Sequence, residues 1–325
     1  MPDYEKLRQE RFASLTDPVL KDYYNGLLNR PPLQVLGVDG MRARLPAADP
    51  AALHDPDVTY ADMMAPGPHG PIPLRIFKPK SLGRGPSGIY VHLHHGGYVM
   101  FGGLDAMTPN NLRLTKSLHC IVVGVDFRLP PEHPFPIPVE DCYAAFQWTA
   151  SHARELGGTV DRIGIGGGCT GANLSTAVTI LARDAGGPMP AAQCLFAPTF
   201  DQRCEYKSYY ENSGPGYSLT RDDAWFVNHQ YCQNWEEDAF DWRASPVLTP
   251  SLKGMPPTLI HVGEWDVLRD EAVFYANRLR DAGCDVKLVV QPEQSHSPTP
   301  VSWPMLEREI ATLLARTIDS RSPPP

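Results

Sequence analysis

The stretch Ile163-Gly-Ile-Gly-Gly-Gly-Cys169-Thr-Gly-Ala-Asn-Leu174 passes from a short apolar run into glycines, then a cysteine, then residues of helical character. Its centre, Gly167-Gly168-Cys169-Thr170-Gly171, has the form Gly-X-nucleophile-X-Gly at a strand-to-helix junction. Such a turn is so sharp that larger side chains beside the central residue would collide with the neighbouring strand and helix. At the start of a helix a thiol also meets unpaired amides and the positive end of the helix dipole, and both favour thiolate. The same pentapeptide serves equally well as a tight turn around a buried cysteine, a common fate of free thiols. The flanking segments bear on which of the two it is.

Working outward, apolar strands alternate with amphipathic helices. Strands are expected at Ile89 to Leu93, Ile121 to Phe127, Arg162 to Ile165, Gln193 to Phe196, Thr258 to Val262 and Val286 to Val290. Helices are expected near Asp105 to Leu118, Val139 to Leu156, Ala172 to Asp184, Glu271 to Ala282 and Trp303 to Thr317. This alternation predicts an α/β fold with right-handed crossovers, a mainly parallel sheet and helices on both faces. Residues 1 to 30 show helical spacing closed by Pro31-Pro32, which predicts one or two N-terminal helices. Gly67-Pro-His-Gly70 before Leu74-Arg-Ile-Phe77 predicts a hairpin at a sheet edge. The stretch from Phe200 to Trp242 breaks the rhythm with Tyr and Asn, and carries a helix-like Arg221 to Tyr231. It reads as a lid inserted between strands.

The 325 residues carry a net charge of -8 and no basic run, which argues against a nucleic-acid partner. No stretch approaches the ~18 apolar residues of a membrane span, and the N-terminus lacks a secretory pattern, so a cytoplasmic protein without a membrane partner is expected. The seven cysteines are odd in number and scattered. They make neither a disulfide framework nor a metal cluster, and no cofactor is expected. Prolines cluster at Arg128 to Pro138, read as an ordered loop, and at Ser322 to Pro325, read as a frayed end.

Taken together, these motifs resemble the hormone-sensitive-lipase-like carboxylesterase branch of the α/β-hydrolase fold. That family's elbow typically reads Gly-Asp-Ser-Ala-Gly-Gly-Asn-Leu, and the same frame here is Gly167 to Leu174. Asp126-Phe-Arg-Leu-Pro-Pro-Glu-His-Pro-Phe-Pro136 is similar to its Asp-Tyr-Arg-Leu-Ala-Pro-Glu-His-x-Phe-Pro. Ser245-Pro246, Gly254-Met-Pro-Pro257 and Asp266-Val-Leu-Arg-Asp-Glu271 follow in the family's order. The resemblance covers nearly the whole chain and implies one α/β-hydrolase domain over 1–325, with a cap from about 1–50 and about 200–245. Three departures surround the nucleophile: Cys169 stands for the serine, Gly168 for the acidic residue and Thr170 for the small residue.

In this fold the nucleophile, acid and histidine follow one another along the chain, and Cys169, Asp266 and His296 come in that order. Asp266 follows the strand from Thr258, at a carboxyl end of the sheet, and His296 follows the strand from Val286. A capping carboxylate and a solvated loop histidine are the bland readings of the two, whereas the resemblance implies acid and base. Asp270 and Glu271 are expected to cap a helix or face solvent.

The strand ending at Leu93 runs into His94-His95-Gly96-Gly97-Tyr98-Val99, similar to the family's His-Gly-Gly-Gly and aromatic residue. Glycine amides here could face a developing oxyanion, with Thr170 N–H opposite. If His94 is the family histidine the amides are those of Gly96 and Gly97, and if His95 is, those of Gly97 and Tyr98. The first is preferred because it keeps Tyr98 at the aromatic position, although the spacing to Gly102 and Asp126 favours the second. His92 is expected to pack within the sheet. Substrate contacts are expected from His95, Tyr98, Tyr217, Trp225 and Asn228, in a cavity with aromatic walls.

The leading functional expectation is a Cys-His-Asp enzyme that hydrolyses or transfers the acyl group of a small-molecule ester, lactone or thioester. Two others follow from the same residues. One is a non-hydrolytic cyclase, aldol-type condensing enzyme or carbon-carbon lyase of secondary metabolism, and the other is a non-catalytic small-molecule receptor. Beyond a small-molecule substrate, the only partner expected is a second copy of the chain in a homodimer.

Overall fold

The computed structural model describes residues 3–45, 49–83 and 85–318. The expected Pro-rich tail at Ser322 to Pro325, and 1–2 and 46–48 of the expected cap, lie outside them. The elements run α1 (Tyr4–Ser14), α2 (Pro18–Leu27), α3 (Leu33–Ala43), β1 (Val58–Ala65), β2 (Ile72–Pro79), β3 (Ser87–Leu93), α4 (Thr108–Leu118), β4 (Ile121–Val125), α5 (Ile137–Ser151) and α6 (Ala153–Leu156). They continue with β5 (Gly158–Gly168), α7 (Thr170–Asp184), β6 (Ala192–Phe196), α8 (Lys207–Glu211), α9 (Arg221–Tyr231), α10 (Trp235–Asp238), β7 (Thr258–Gly263), α11 (Arg269–Asp281), β8 (Val286–Gln291) and α12 (Trp303–Thr317).

The strands form an eight-stranded sheet in the order β1-β2-β4-β3-β5-β6-β7-β8. β2 runs against both of its neighbours, and every pair from β4 to β8 is parallel. The hairpin expected at Gly67 to Gly70 joins β1 to β2, with Ala65 opposite Ile72. Because strand side chains alternate, each strand feeds both faces of the sheet. Ile89, Val91, Ile163 and Ile165 pack towards α5 and α7. Tyr90, Val122, Cys194 and Leu259 pack towards α4 and α12, so apolar cores cover both faces.

Residues 1 to 30 hold two helices, α1 and α2, within the expected one or two, and a third, α3, follows the Pro31-Pro32 pair. Pro32 ends the preceding turn and serves as the N-cap of α3, so the Pro-Pro pair separates helices without ending helical structure. Leu15, Leu20 and Tyr24 from α1–α2 bury against Tyr217 and Trp265. Met41 of α3 packs on Val227 of α9. The N-terminal helices and the 200–245 insertion therefore cover the same carboxyl edge of the sheet. The Arg128 to Pro138 loop is pinned by Arg128, whose guanidinium donates to buried Asp141 at 2.7 Å.

Candidate active site

β5 delivers Cys169 to the carboxyl edge of the sheet at the first turn of α7. Cys169 has φ 52° and ψ -118°, outside the regions an L-residue prefers. Its N–H donates to Phe196 O at 2.8 Å, which ties the turn to β6. Gly167 and Gly171 allow the close approach. A Cβ at Gly167 would lie 2.0 Å from Leu93 O, and one at Gly171 2.1 Å from the same atom.

Asp266 is fully buried after β7. One of its oxygens accepts Leu268 N–H at 3.0 Å, and its carboxylate meets His296 Nδ1 at 3.1 and 3.2 Å. His296 in turn faces Cys169 closely enough for each to shift the other's titration. Burial alone would push the thiol up, but the charge of His296, aided by Thr170 N–H, outweighs it and holds the Cys169 pKa below the ordinary thiol value. Burial alone would push the imidazole down, yet Asp266 and Cys169 hold His296 well above its ordinary range. The arrangement favours a thiolate-imidazolium pair braced by a carboxylate.

The loops carrying Asp266 and His296 are held from the N-terminal helices and the 200–245 stretch. Tyr24 Oη donates to Glu293 O at 2.6 Å and accepts Ser295 N–H at 2.9 Å. Ser218 Oγ lies 2.8 Å from Ser295 Oγ and accepts Ser297 N–H at 2.9 Å. Asn212 Nδ2 donates to Asp266 O at 2.7 Å. Sequence reasoning missed these residues, because a bond between segments distant in the chain leaves no local pattern.

Cys169 and His296 open into a cavity of about 490 Å³, which Gly96, Gly97 and Thr170 also line. Tyr98 N–H donates to Thr170 Oγ1 at 3.3 Å. Neither Gly96 nor Gly97 N–H donates to an acceptor among the described residues. His95 lines the cavity, whereas His94 stacks behind it on Phe127 with ring centroids 4.2 Å apart. The loop thus has the second register's histidine facing the cavity and the first register's amides unpaired.

His95 is solvent-accessible within the cavity, and desolvation by the surrounding protein lowers its pKa to about 4. His92 hydrogen-bonds Asn111 Oδ1 at 2.7 Å, as a packed strand histidine does, and also borders the cavity. Asn228 lines the cavity too, with its amide donating to Gln202 O at 2.9 Å.

The other expected substrate contacts require correction. Tyr98 is buried, stacked on Tyr231 at 3.9 Å with its hydroxyl accepting from Gln202, and its side chain does not line the cavity. Tyr217 is buried against Phe12, and its hydroxyl accepts from Arg11. Trp225 is 46% exposed and lies tilted against His229 at the surface. All three rings are amphipathic; packing claimed those of Tyr98 and Tyr217, and the surface that of Trp225. Glu271 also differs from expectation. It is buried, with one oxygen accepting Phe200 N–H at 3.0 Å and the other 3.3 Å from Tyr209 Oη, and burial pushes its pKa well up.

The fold and the turn define an α/β-hydrolase scaffold. A family model described as alpha/beta hydrolase fold matches residues 90–299, and the chain belongs to this carboxylesterase family. It is 39% identical over 273 residues to Carboxylic ester hydrolase LipN of Mycobacterium tuberculosis, covering 78% of this chain and 71% of that one. It is 30% identical over 293 residues to Esterase LipI of the same organism, covering 89% and 88%. Among solved structures, a bacterial heroin esterase superposes with a TM-score of 0.85 at 30% identity, over 95% of this chain and 99% of that one. An esterase from the archaeon Pyrobaculum calidifontis gives 0.83 at 29% identity, over 92% and 97%. No helix among the described residues is long and apolar enough to cross a membrane.

Proposed function

We propose that the protein is a carboxylesterase-like hydrolase or acyl-transfer enzyme that uses Cys169, His296 and Asp266 on a small-molecule ester, lactone or thioester. The observation that carries this reading is the alignment of a lowered thiol and a raised imidazole, both lining one cavity, with a buried carboxylate bonded behind the imidazole. The similarity to named esterases supports the ester as substrate class.

In this reading Cys169 thiolate adds to the carbonyl carbon, and the carbonyl electron pair moves to oxygen. The oxyanion is received by the N–H groups of Gly96, Gly97 and Thr170. Collapse re-forms the carbonyl and breaks the bond to the leaving group, which takes the proton of His296. Water, or an acceptor alcohol or thiol, then gives its proton to His296 and attacks the thioester. Cys169 is released as thiolate. Asp266 keeps the imidazole oriented and stabilises its cationic form.

Intact mass spectrometry with activated acyl esters tests this reading. An acyl adduct is expected on the wild type and not on Cys169→Ala, and no adduct across a broad ester panel would sink it. A Cys169→Ser variant that becomes the better simple esterase would shift the reading to the second alternative, cyclisation, condensation or carbon-carbon cleavage on the same triad. That alternative draws support from His95, a neutral imidazole in the cavity beside the nucleophile loop. A non-catalytic receptor role is disfavoured because it gives no reason to keep Asp266, His296 and Gly97 together.

A further inference from the structure

The residues lining the cavity fall into two groups on either side of Cys169. The front group lies beneath the N-terminal helices and the insertion and is partly polar, with Arg30, Ser218 and Asn228 beside Leu33 and Val227. The rear group lies between the sheet and the helices α4 and α12. Its walls are Tyr90, Cys194 and Leu259 from the strands and Leu114, Leu306 and Ile310 from the helices. At its outer end Arg113 stacks over Trp303 at 3.9 Å and pairs with Glu307 at 3.2 Å, which closes an apolar space with a charged pair.

Strand alternation explains how this space meets the nucleophile. Gly164, Gly166 and Gly168 of β5 share one face of the sheet, the face that Tyr90 and Cys194 occupy on β3 and β6. At Gly166 a Cβ would lie 2.2 Å from Cys194 O and 2.3 Å from Tyr90 Oη, so neighbours already fill that position. At Gly168 the nearest atoms would be Phe196 Cδ1 at 3.3 Å and His95 Cβ at 3.7 Å, and both residues line the cavity. A side chain at 168 would therefore project into the cavity between Phe196 and His95. The acidic residue typical of the family would put a carboxylate in that space, and glycine leaves it open.

We propose that the rear arm, joined to Cys169 by the missing side chain at Gly168, is a subsite for an apolar chain of the substrate. The proposal rests on the reading of Cys169 as nucleophile only for the direction in which that chain is presented. The more polar half of the substrate then lies in the front arm. Apolar walls favour a chain because each methylene moved out of water strengthens binding, and the Arg113-Glu307 pair sets the limit of the arm.

Calorimetric binding of straight-chain methyl ketones, from pentanone to undecanone, tests the subsite without requiring turnover. Affinity is expected to rise up to about fourfold per added methylene in the wild type and equally in Cys169→Ala. Ile310→Trp and Gly168→Asp should each flatten that rise, with thermal unfolding checking that the variants are folded and Leu114→Phe replacing either one that is not. A flat series in the wild type, or an undiminished rise in the folded plugged variants, overturns the proposal. A rising series together with no acyl adduct keeps the subsite and rejects the nucleophile, and the converse rejects the subsite alone. Comparing rates for acetyl to decanoyl thioesters with those for ethyl to decyl acetates assigns the arm to the acyl or the alcohol half.

Discussion

Ser295 N–H donates at 2.9 Å to the hydroxyl of Tyr24, a residue of the second N-terminal helix that is 271 positions earlier in the chain. The same hydroxyl donates to Glu293 O, so one side chain fixes two points of the turn that presents His296. Tyr24→Phe keeps the ring among Leu15, Tyr217 and Trp265 and removes both bonds. The buried Ser295 amide is then left unsatisfied, at a cost of about 1–3 kcal/mol. We expect a lower Tm and a kcat reduced about tenfold, with a smaller change in KM, because the imidazole loses its position rather than its identity. An unchanged kcat would show that the other anchors, such as Ser218, suffice.

Alkylation of Cys169 by iodoacetamide across a pH series reads the thiolate directly. With the thiol held below its ordinary pKa, the reactive form persists to lower pH and is lost as pH falls through that value. In His296→Asn the lowering charge is gone while burial remains, so the midpoint is expected to move above the ordinary thiol range. Midpoints that coincide in the two proteins would dismiss the ion pair.

Gly171→Ala places a methyl group 2.1 Å from Leu93 O and 2.6 Å from His94 O, backbone atoms at the end of β3 and just past it. Backbone cannot rotate aside as a side chain can. The expected destabilisation is at least the ~1–3 kcal/mol typical of overpacking, accompanied by loss of activity. Chemical denaturation measures the first and ester turnover the second.

Burial pushes the Glu271 carboxyl well above the usual carboxylate range, which favours its protonated form. Glu271→Gln should therefore change stability little. Glu271→Ala leaves the Phe200 amide without its acceptor, for a loss of about 1–3 kcal/mol. Denaturant midpoints of the two variants give the comparison, and equal losses would mean that the native group is ionised.

His95, with its pKa lowered to about 4, carries no charge near neutral pH. His95→Ala should leave the pH midpoint of Cys169 alkylation in place. A fall in turnover of about a hundredfold at unchanged alkylation would mark His95 as an acid or base in its own right. Unchanged turnover would leave it as a wall of the cavity.

Much of the architecture is legible in the chain because it rests on local periodicity and on glycines that only one backbone geometry demands. The alternation from Ile89 onward, the hairpin at Gly67 to Gly70 and the turn at Cys169 are all of this kind, whereas the order of Cys169, Asp266 and His296 carries meaning only through the family resemblance. Tertiary structure decided what depends on distant segments meeting. Tyr98 and Tyr217 turned into the packing, and Trp225 went to the surface, since an aromatic ring suits a core, a cavity wall or a surface stack equally well. Glu271 became buried because Phe200 N–H and Tyr209 Oη came to meet it. The approach of His296 to Cys169, the shifts each imposes on the other, and the passage left beside Gly168 exist only when separate strands lie side by side, where burial and charge act through space rather than along the chain.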